Sequence, residues 1–364
     1  MMTDVRETIL VAMSGGVDSS VAAALLVEQG HEVIGITMKT FCYAGTPAHS
    51  RTCCGLDGIH DARRVADRLG IPHHVFDMEE SFTRDVIDDF VSEYATGRTP
   101  NPCVRCNSNT KIPHLLQKGR AFGATAIATG HYARTSGEAG ATRILRGRDR
   151  GKDQSYFLWG IPAEVVPALR FPIGALTKVE VRSIARGLGL ATADKPESQE
   201  ICFVPDGDYA GFLAGRLGDD HASLRPGRIR TAHGDVIGTH AGYARYTVGQ
   251  RRGLGGGRDR ALFVIGVRPS ENEVVVGEEA DLFADTVVID DLNWLAAPPQ
   301  PGESVEVQLR HRAAAMHARV ESVDEHALAL VLTQPARAIT PGQSGVIYRD
   351  VELVGGGRIR GLAR

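Results

Sequence analysis

The chain has 364 residues, 43% hydrophobic and 23% charged, with 41 Lys+Arg against 44 Asp+Glu for a formal net charge of −3. That composition excludes a disordered or fibrous chain, and the length asks for two or three domains rather than one core. No apolar run approaches the roughly 18–20 residues of a membrane span, and Ile9–Met13 is too short for a signal-peptide core, so the expectation is a cytoplasmic protein without a membrane partner.

In chain order, Thr8–Met13 reads as a short apolar strand, Ser14-Gly15-Gly16 as a turn, and Val17–Gln29 as a helix ended by Gly30. Glu32–Met38 is a second strand. Leu56–Leu69 is a helix with Ile59, Ala62, Val65, Ala66 and Leu69 at helical spacing. Strands are expected at Pro72–Phe76 and Ala124–Thr129, with helices near Phe82–Tyr94 and Ile112–Phe122. Alternation of this kind predicts an α/β fold with a doubly wound parallel sheet. After about Pro205 the pattern turns to short β runs, among them Leu262–Val267, Glu273–Val276, Val305–Leu309, Ala327–Leu332 and Gly345–Tyr348. Smaller β-rich domains are therefore expected to follow the sheet. The division is 1–205 for the catalytic domain, 206–280 for a small central β-rich domain and 281–364 for a β-barrel-like domain. The runs Gly253–Gly257 and Gly355–Gly357 read as loops between β elements.

Charge is unevenly spread. Between Ala95 and Gly160 eleven basic residues stand against Glu138, Asp149 and Asp153. A basic segment in an otherwise acidic chain suits a polyanionic partner; a solvated face is the other reading.

The string Ser14-Gly15-Gly16-Val17-Asp18-Ser19 lies between the first strand and the first helix. A doubly wound sheet receives an anion at that place, on backbone N–H groups and the helix dipole. No Gly-Lys-Ser/Thr follows, so it is not a Walker A loop.

The six cysteines are too few for a disulfide scaffold and are expected as reduced thiols. Cys103 and Cys106 form a Cys-x-x-Cys, which by itself suits a zinc half-site, a redox pair or cluster ligands. Cys202 lies far downstream in Glu200-Ile201-Cys202-Phe203. A thiolate can carry a persulfide sulfur, and a second cysteine can release it by disulfide formation. Cys42, Cys53 and Cys54 carry no assigned role.

The loop resembles the PP-loop of ATP pyrophosphatases, which cleave ATP between the α and β phosphates and adenylylate an oxygen. Seven further motifs follow in order: Gly97–Pro102, Cys106-Asn107, Ala128–Tyr132, Lys152–Leu158, Ile201–Phe203, Gly249–Leu254 and Pro341–Ser344. The set resembles the tRNA-specific 2-thiouridylase family nearly end to end. That resemblance implies thiolation of the wobble uridine of tRNAs for Lys, Glu and Gln, with adenylylation of O2, sulfur transfer, and release of AMP and pyrophosphate.

It also implies site residues. Ala12, Met13, Ser14, Gly15, Gly16, Val17, Asp18, Ser19, Met38 and Gly130 would hold ATP, with Mg2+ expected beside it. Cys202 would carry the persulfide and Cys106 would be its partner. Asn101, Pro102 and Cys103 would lie beside the target base. His131, Lys152, Asp153 and Gln154, and Arg310, His311 and Gln343 in the β-rich half, match tRNA-contacting positions. The sulfur would come from a persulfide donor protein, a cysteine desulfurase or a relay protein.

Many members of the family have Asp where this chain has Cys103, and a thiol with a reference pKa of about 8.5 does not replace it. The change leaves Cys103, Cys106 and Cys202 as a possible ligand set for a [4Fe–4S] cluster. Persulfide and cluster routes both stand at this point, beside two further alternatives: a different PP-loop adenylylating enzyme, or a non-catalytic RNA-binding protein with a zinc site.

Overall fold

A computed structural model of the protein describes residues 6–41, 56–137, 142–196, 201–204, 207–254 and 261–362. Cys42, Cys53 and Cys54 lie outside the described residues, as does part of the Gly253–Gly257 run. The chain divides into two compact units, Met1–Val86 with Cys103–Gly207 and Val351–Leu353, and Ile87–Pro102 with Asp208–Asp350 and Val354–Arg364. Among the described residues no helix is long and apolar enough to cross a membrane.

The first unit is built on strands β1 (Thr8–Ala12), β2 (Glu32–Lys39), β3 (His73–Asp77), β4 (Ala126–Thr129) and β7 (Leu169–Arg170), in the order β3-β2-β1-β4-β7. Every pairing in it is parallel. Strands β5 (Ala133–Ser136) and β6 (Arg143–Arg146) form an antiparallel hairpin. Ile9, Leu10 and Val11 are wholly buried because helices cover both faces of the sheet, which is why this strand reads as a continuous apolar run.

The helix Val17–Glu28 is Ala- and Val-rich on nearly every side, as a helix inside a core must be. Burial of side chains such as Val21 and Leu26 stabilises the fold by about 1.5–3 kcal/mol each. At its end the Gly30 amide bonds Val27 O and the His31 amide bonds Leu26 O, a Schellman stop that leaves Gly30 at φ +84°. The helix Leu56–Leu69 instead turns Ala62, Val65 and Ala66 inward and its charged residues outward.

The second unit holds two β structures. Strands β8 (Gly227–Thr231), β9 (Val236–His240), β10 (Phe263–Arg268) and β11 (Glu273–Gly277) form a sheet in the order β10-β11-β8-β9 around Ile229, Val264, Val274 and Val276. Strands β12 (Phe283–Trp294), β13 (Ser304–Gln308), β14 (Met316–Val323), β15 (Ala327–Arg337), β16 (Ser344–Arg349) and β17 (Glu352–Gly361) run in the order β12-β15-β14-β13-β16-β17. Pairing of β12 with β17 closes them into a barrel. Leu328, Leu330 and Leu332 alternate into its core with Ala318 and Val320 opposite.

Gly355–Gly357 correct the sequence expectation of a loop: they lie within β17, with Gly355 opposite Trp294 and Gly356 opposite Asn293. A Cβ at Gly355 would stand 2.3 Å from Asn293 O, and one at Gly357 2.2 Å from Asp290 O. The glycines let two barrel strands approach closely, a use of glycine that mimics a loop signal.

Candidate active site

In the register of the parallel sheet, Ala12 of β1 stands level with Ile36 of β2 and Thr129 of β4. The order reverses between β1 and β4, so the segments leaving these strands flank the crevice where open α/β sheets take ligands. Ser14–Gly16 leaves β1 and Gly130-His131 leaves β4.

The loop is held open by its own chemistry. Met13 is pinned by its amide on Ile36 O (2.7 Å) and by the Thr37 hydroxyl on its carbonyl (2.7 Å). Met38, near the end of β2, is buried. Gly15 sits at φ +69°, and a Cβ there would stand 2.2 Å from Gly58 O, so glycine is required twice over. Gly16 caps the helix Val17–Glu28 without any side-chain cap bond. The Ser19 hydroxyl accepts from the Ser14 amide (3.2 Å) and donates to Gly16 O (3.2 Å), and Ser20 donates to Gly16 O (2.8 Å). The hydroxyls shape the turn, and the first amides of the helix keep their positive field for an anion. Gly130 passes against this turn so closely that a Cβ would lie 2.6 Å from the Ser19 amide nitrogen.

Three residues outside the expected set complete the site. Lys178 Nζ stands 2.8 Å from both oxygens of Asp18, and the Tyr132 hydroxyl donates to Asp18 Oδ1 at 2.8 Å. Lys178 is placed as the first residue of the helix Lys178–Gly187, whose start is set by a Thr177/Glu180 capping box. Lys195 donates to Gly15 O (3.0 Å) and pairs with Asp61 (2.6 Å), tying the loop to the helix Leu56–Leu69. A loop without a lysine of its own thus has two supplied by distant segments.

His131 accepts or donates a 2.6 Å bond with the Thr129 hydroxyl and lies edge-on to Phe171. Burial, and then the charge of Lys111, push its imidazole down to about 3, so it is neutral at physiological pH. His73 is lowered by burial first, then by Arg63 and His74, against Asp67; His240 is lowered by burial, against its bond to Asn272. The unfolded chain binds the protons that these native rings exclude, so stability falls as pH drops below about 6.5. Urea unfolding between pH 7 and 5 should show this loss. His131→Gln should flatten it by up to about 1.4 kcal/mol per pH unit. An unchanged slope in the variant would show that His131 titrates normally.

Asp153 and Gln154 spend their side chains within the first unit. Asp153 accepts from Arg146 (3.0 Å), the Gly147 and Ser155 amides (2.9 and 3.1 Å) and the Ser155 hydroxyl (3.1 Å), and Gln154 accepts from the Tyr132 amide (3.0 Å). Lys152 beside them is half-buried. The other basic residues of the segment differ in exposure and pairing. Arg146 is buried on Asp153, Arg148 pairs with Glu180, and Arg98 lies in the second unit on Glu93, while Arg120 and Arg150 are exposed.

Cys103 is exposed, and Cys106 and Cys202 are half-buried thiols. Cys103 belongs to the helical turn Pro102–Arg105, and Cys106 opens a widened turn, Cys106–Lys111, of the kind that often re-aims side chains at functional sites. Asn107 Nδ2 bonds Cys103 O (3.1 Å), fixing the backbone between the two thiols. Cys202 sits in a turn closed by the Val204 amide on Ile201 O, with Phe203 buried edge-on against Phe82. Among the described residues no three His, Cys, Asp or Glu side chains are grouped to hold a metal ion.

Asn101, Pro102, Arg310, His311 and Gln343 belong to the second unit. There Arg310 and Gln343 line a cavity of about 340 Å³ with Thr99, Thr247, Val248, Gln250 and Thr340. Arg310 donates to Ala338 O (3.1 Å) and the Thr340 hydroxyl (3.2 Å), and His311 O accepts from Gln308 (2.9 Å).

The parallel sheet, its switch point and the lysine-flanked loop define the first unit as a Rossmann-like nucleotide-binding domain of the PP-loop kind. Family models match along the chain: a tRNA methyl transferase HUP domain over residues 7–206, a tRNA methyl transferase PRC-barrel domain over 212–278 and an aminomethyltransferase beta-barrel domain over 284–359. A protein of Carboxydothermus hydrogenoformans named tRNA-specific 2-thiouridylase MnmA is 46% identical over 97% of this chain and 98% of its own. One of the same name from Geobacter metallireducens is 48% identical over 99% and 98%. The chain belongs to the tRNA-specific 2-thiouridylase family.

Proposed function

We propose that the protein is a sulfurtransferase that uses ATP to replace the C2 oxygen of the wobble uridine in tRNA with sulfur. The observation that carries this reading is the Ser14–Ser19 loop, an uncapped helix start braced by Lys178 and Lys195, in a chain that also bears Cys106 and Cys202. A uracil oxygen is a poor leaving group until it is adenylylated, and an ATP-splitting site supplies that step. Ala12–Ser19, Met38 and Gly130 would hold ATP, and Mg2+ would enter with the nucleotide.

The sulfur chemistry balances with two cysteines. A donor protein's persulfide, from a cysteine desulfurase or a relay protein, passes its outer sulfur to the Cys202 thiolate. The Cys106 thiolate then attacks Cys202 Sγ, forming a disulfide and expelling HS⁻, which displaces AMP from C2. A thiol reductant returns the disulfide to two thiols. A buried base cannot be attacked in its stack, so the uridine must be turned out between the thiols and ATP. Cytoplasmic tRNA is the expected substrate, held by the first unit and by the β-barrel domain.

Mass spectrometry of wobble uridines from cells with and without the gene tests the reading. 2-Thiouridine should vanish from the tRNAs for Lys, Glu and Gln in the deletion strain and return on complementation. Unchanged 2-thiouridine would refute it.

A further inference from the structure

We infer that Gln343 is a positioning residue for the segment Thr99–Asn101, holding that segment through its side-chain amide. The inference rests on the functional reading above, in which Asn101 and Pro102 lie beside the target base.

The Gln343 side-chain amide donates to two successive carbonyls, Thr99 O at 2.9 Å and Pro100 O at 3.3 Å. Its backbone is locked at the barrel end: the Gln343 amide bonds Thr340 O (3.2 Å) and its carbonyl accepts from Ile359 (2.7 Å). The Thr99 amide returns a bond to Pro341 O (2.8 Å), and the Thr99 hydroxyl meets that of Thr247 (3.1 Å). Just upstream, Arg98 bonds Glu93 (2.9 Å), which also pairs with Arg358 (2.9 Å) of β17. Pro100 and Pro102 restrict the backbone but cannot donate hydrogen bonds, so the segment depends on donors from outside. Gln343 is the side chain that reaches both of its consecutive carbonyls. The segment runs directly into Cys103, so a shift of it moves the base-facing residues.

The test uses full-length wild type, Gln343→Ala and Gln343→Glu, the last keeping the size but removing the donor. Single-turnover thiolation at saturating tRNA should fall about tenfold or more in both variants, as small misplacements of reacting groups do. Hydrogen exchange at the Thr99 amide should quicken about tenfold in both, a readout that needs no catalysis. A thiolation rate kept within threefold of wild type, or unchanged exchange at Thr99, would each overturn the inference. Wild-type protein that makes no 2-thiouridine would count against the functional reading alone, because the exchange result still decides the role of Gln343.

Discussion

Cys202→Ser is expected to abolish thiolation while tRNA binding and adenylylation persist. A serine hydroxyl cannot accept or carry a sulfane sulfur, so no persulfide forms and no later step can begin. The change should cost the fold little. Cys202 is half-buried in a short turn whose closing bond is backbone to backbone, and Phe203, not Cys202, anchors that turn in the core. Substitution by a residue of similar size at such a place typically alters stability by less than about 1 kcal/mol. Cys106→Ser should accept sulfur onto Cys202 but fail to release it, so the persulfide accumulates. Thiolation by Cys202→Ser at a measurable fraction of the wild-type rate would remove Cys202 from the sulfur path.

Lys178→Met should slow tRNA-dependent AMP formation by about two orders of magnitude, the scale seen when one preorganised electrostatic donor is removed from an active site. Asp18 lies in the first turn of the helix Val17–Glu28, where its carboxylate suits the helix dipole but opposes an incoming polyphosphate. Lys178 cancels that charge from 2.8 Å on both oxygens. Without it, a negative group faces the phosphates at the mouth of the loop. Asp18→Ala alone should also impair ATP use, since it strands a buried ammonium and deprives the Tyr132 hydroxyl of its acceptor. The double variant should then be less impaired than the sum of the two, by about 0.5–3 kcal/mol in activation free energy. Strict additivity would show that Lys178 acts independently of Asp18.

The phosphate loop was legible because every part of it is local. A strand, two glycines, three serines and a helix start within a few residues declare both the turn and its exposed amides. The parallel sheet was legible for the same reason, through apolar runs alternating with helical spacing. Lys178, Lys195 and Tyr132 were not, since they reach Asp18 and Gly15 from 160, 180 and 114 residues away. No local pattern encodes that convergence, although Tyr132 stood inside a recognised motif.

The basic segment was legible only as a sum of charges along the chain. Counting charges along the chain cannot see that Arg146 is buried on Asp153 or that Arg98 is tied to Glu93 in the other unit. The triple glycine of β17 failed because close strand approach and a flexible loop call for the same residue. For Gln343 the resemblance pointed to RNA; the bonds to Thr99 and Pro100 show what its amide does in the protein itself.

In the proposed function one ATP is split at the Ser14–Ser19 loop for each sulfur delivered to uridine. Purified protein supplied with ATP, unmodified tRNA and a persulfide donor tests it by counting AMP and 2-thiouridine in the same reaction. Equal amounts of the two are expected, with no AMP above background when tRNA is left out. 2-Thiouridine formed without ATP, or AMP formed with no sulfur in the tRNA, would contradict it.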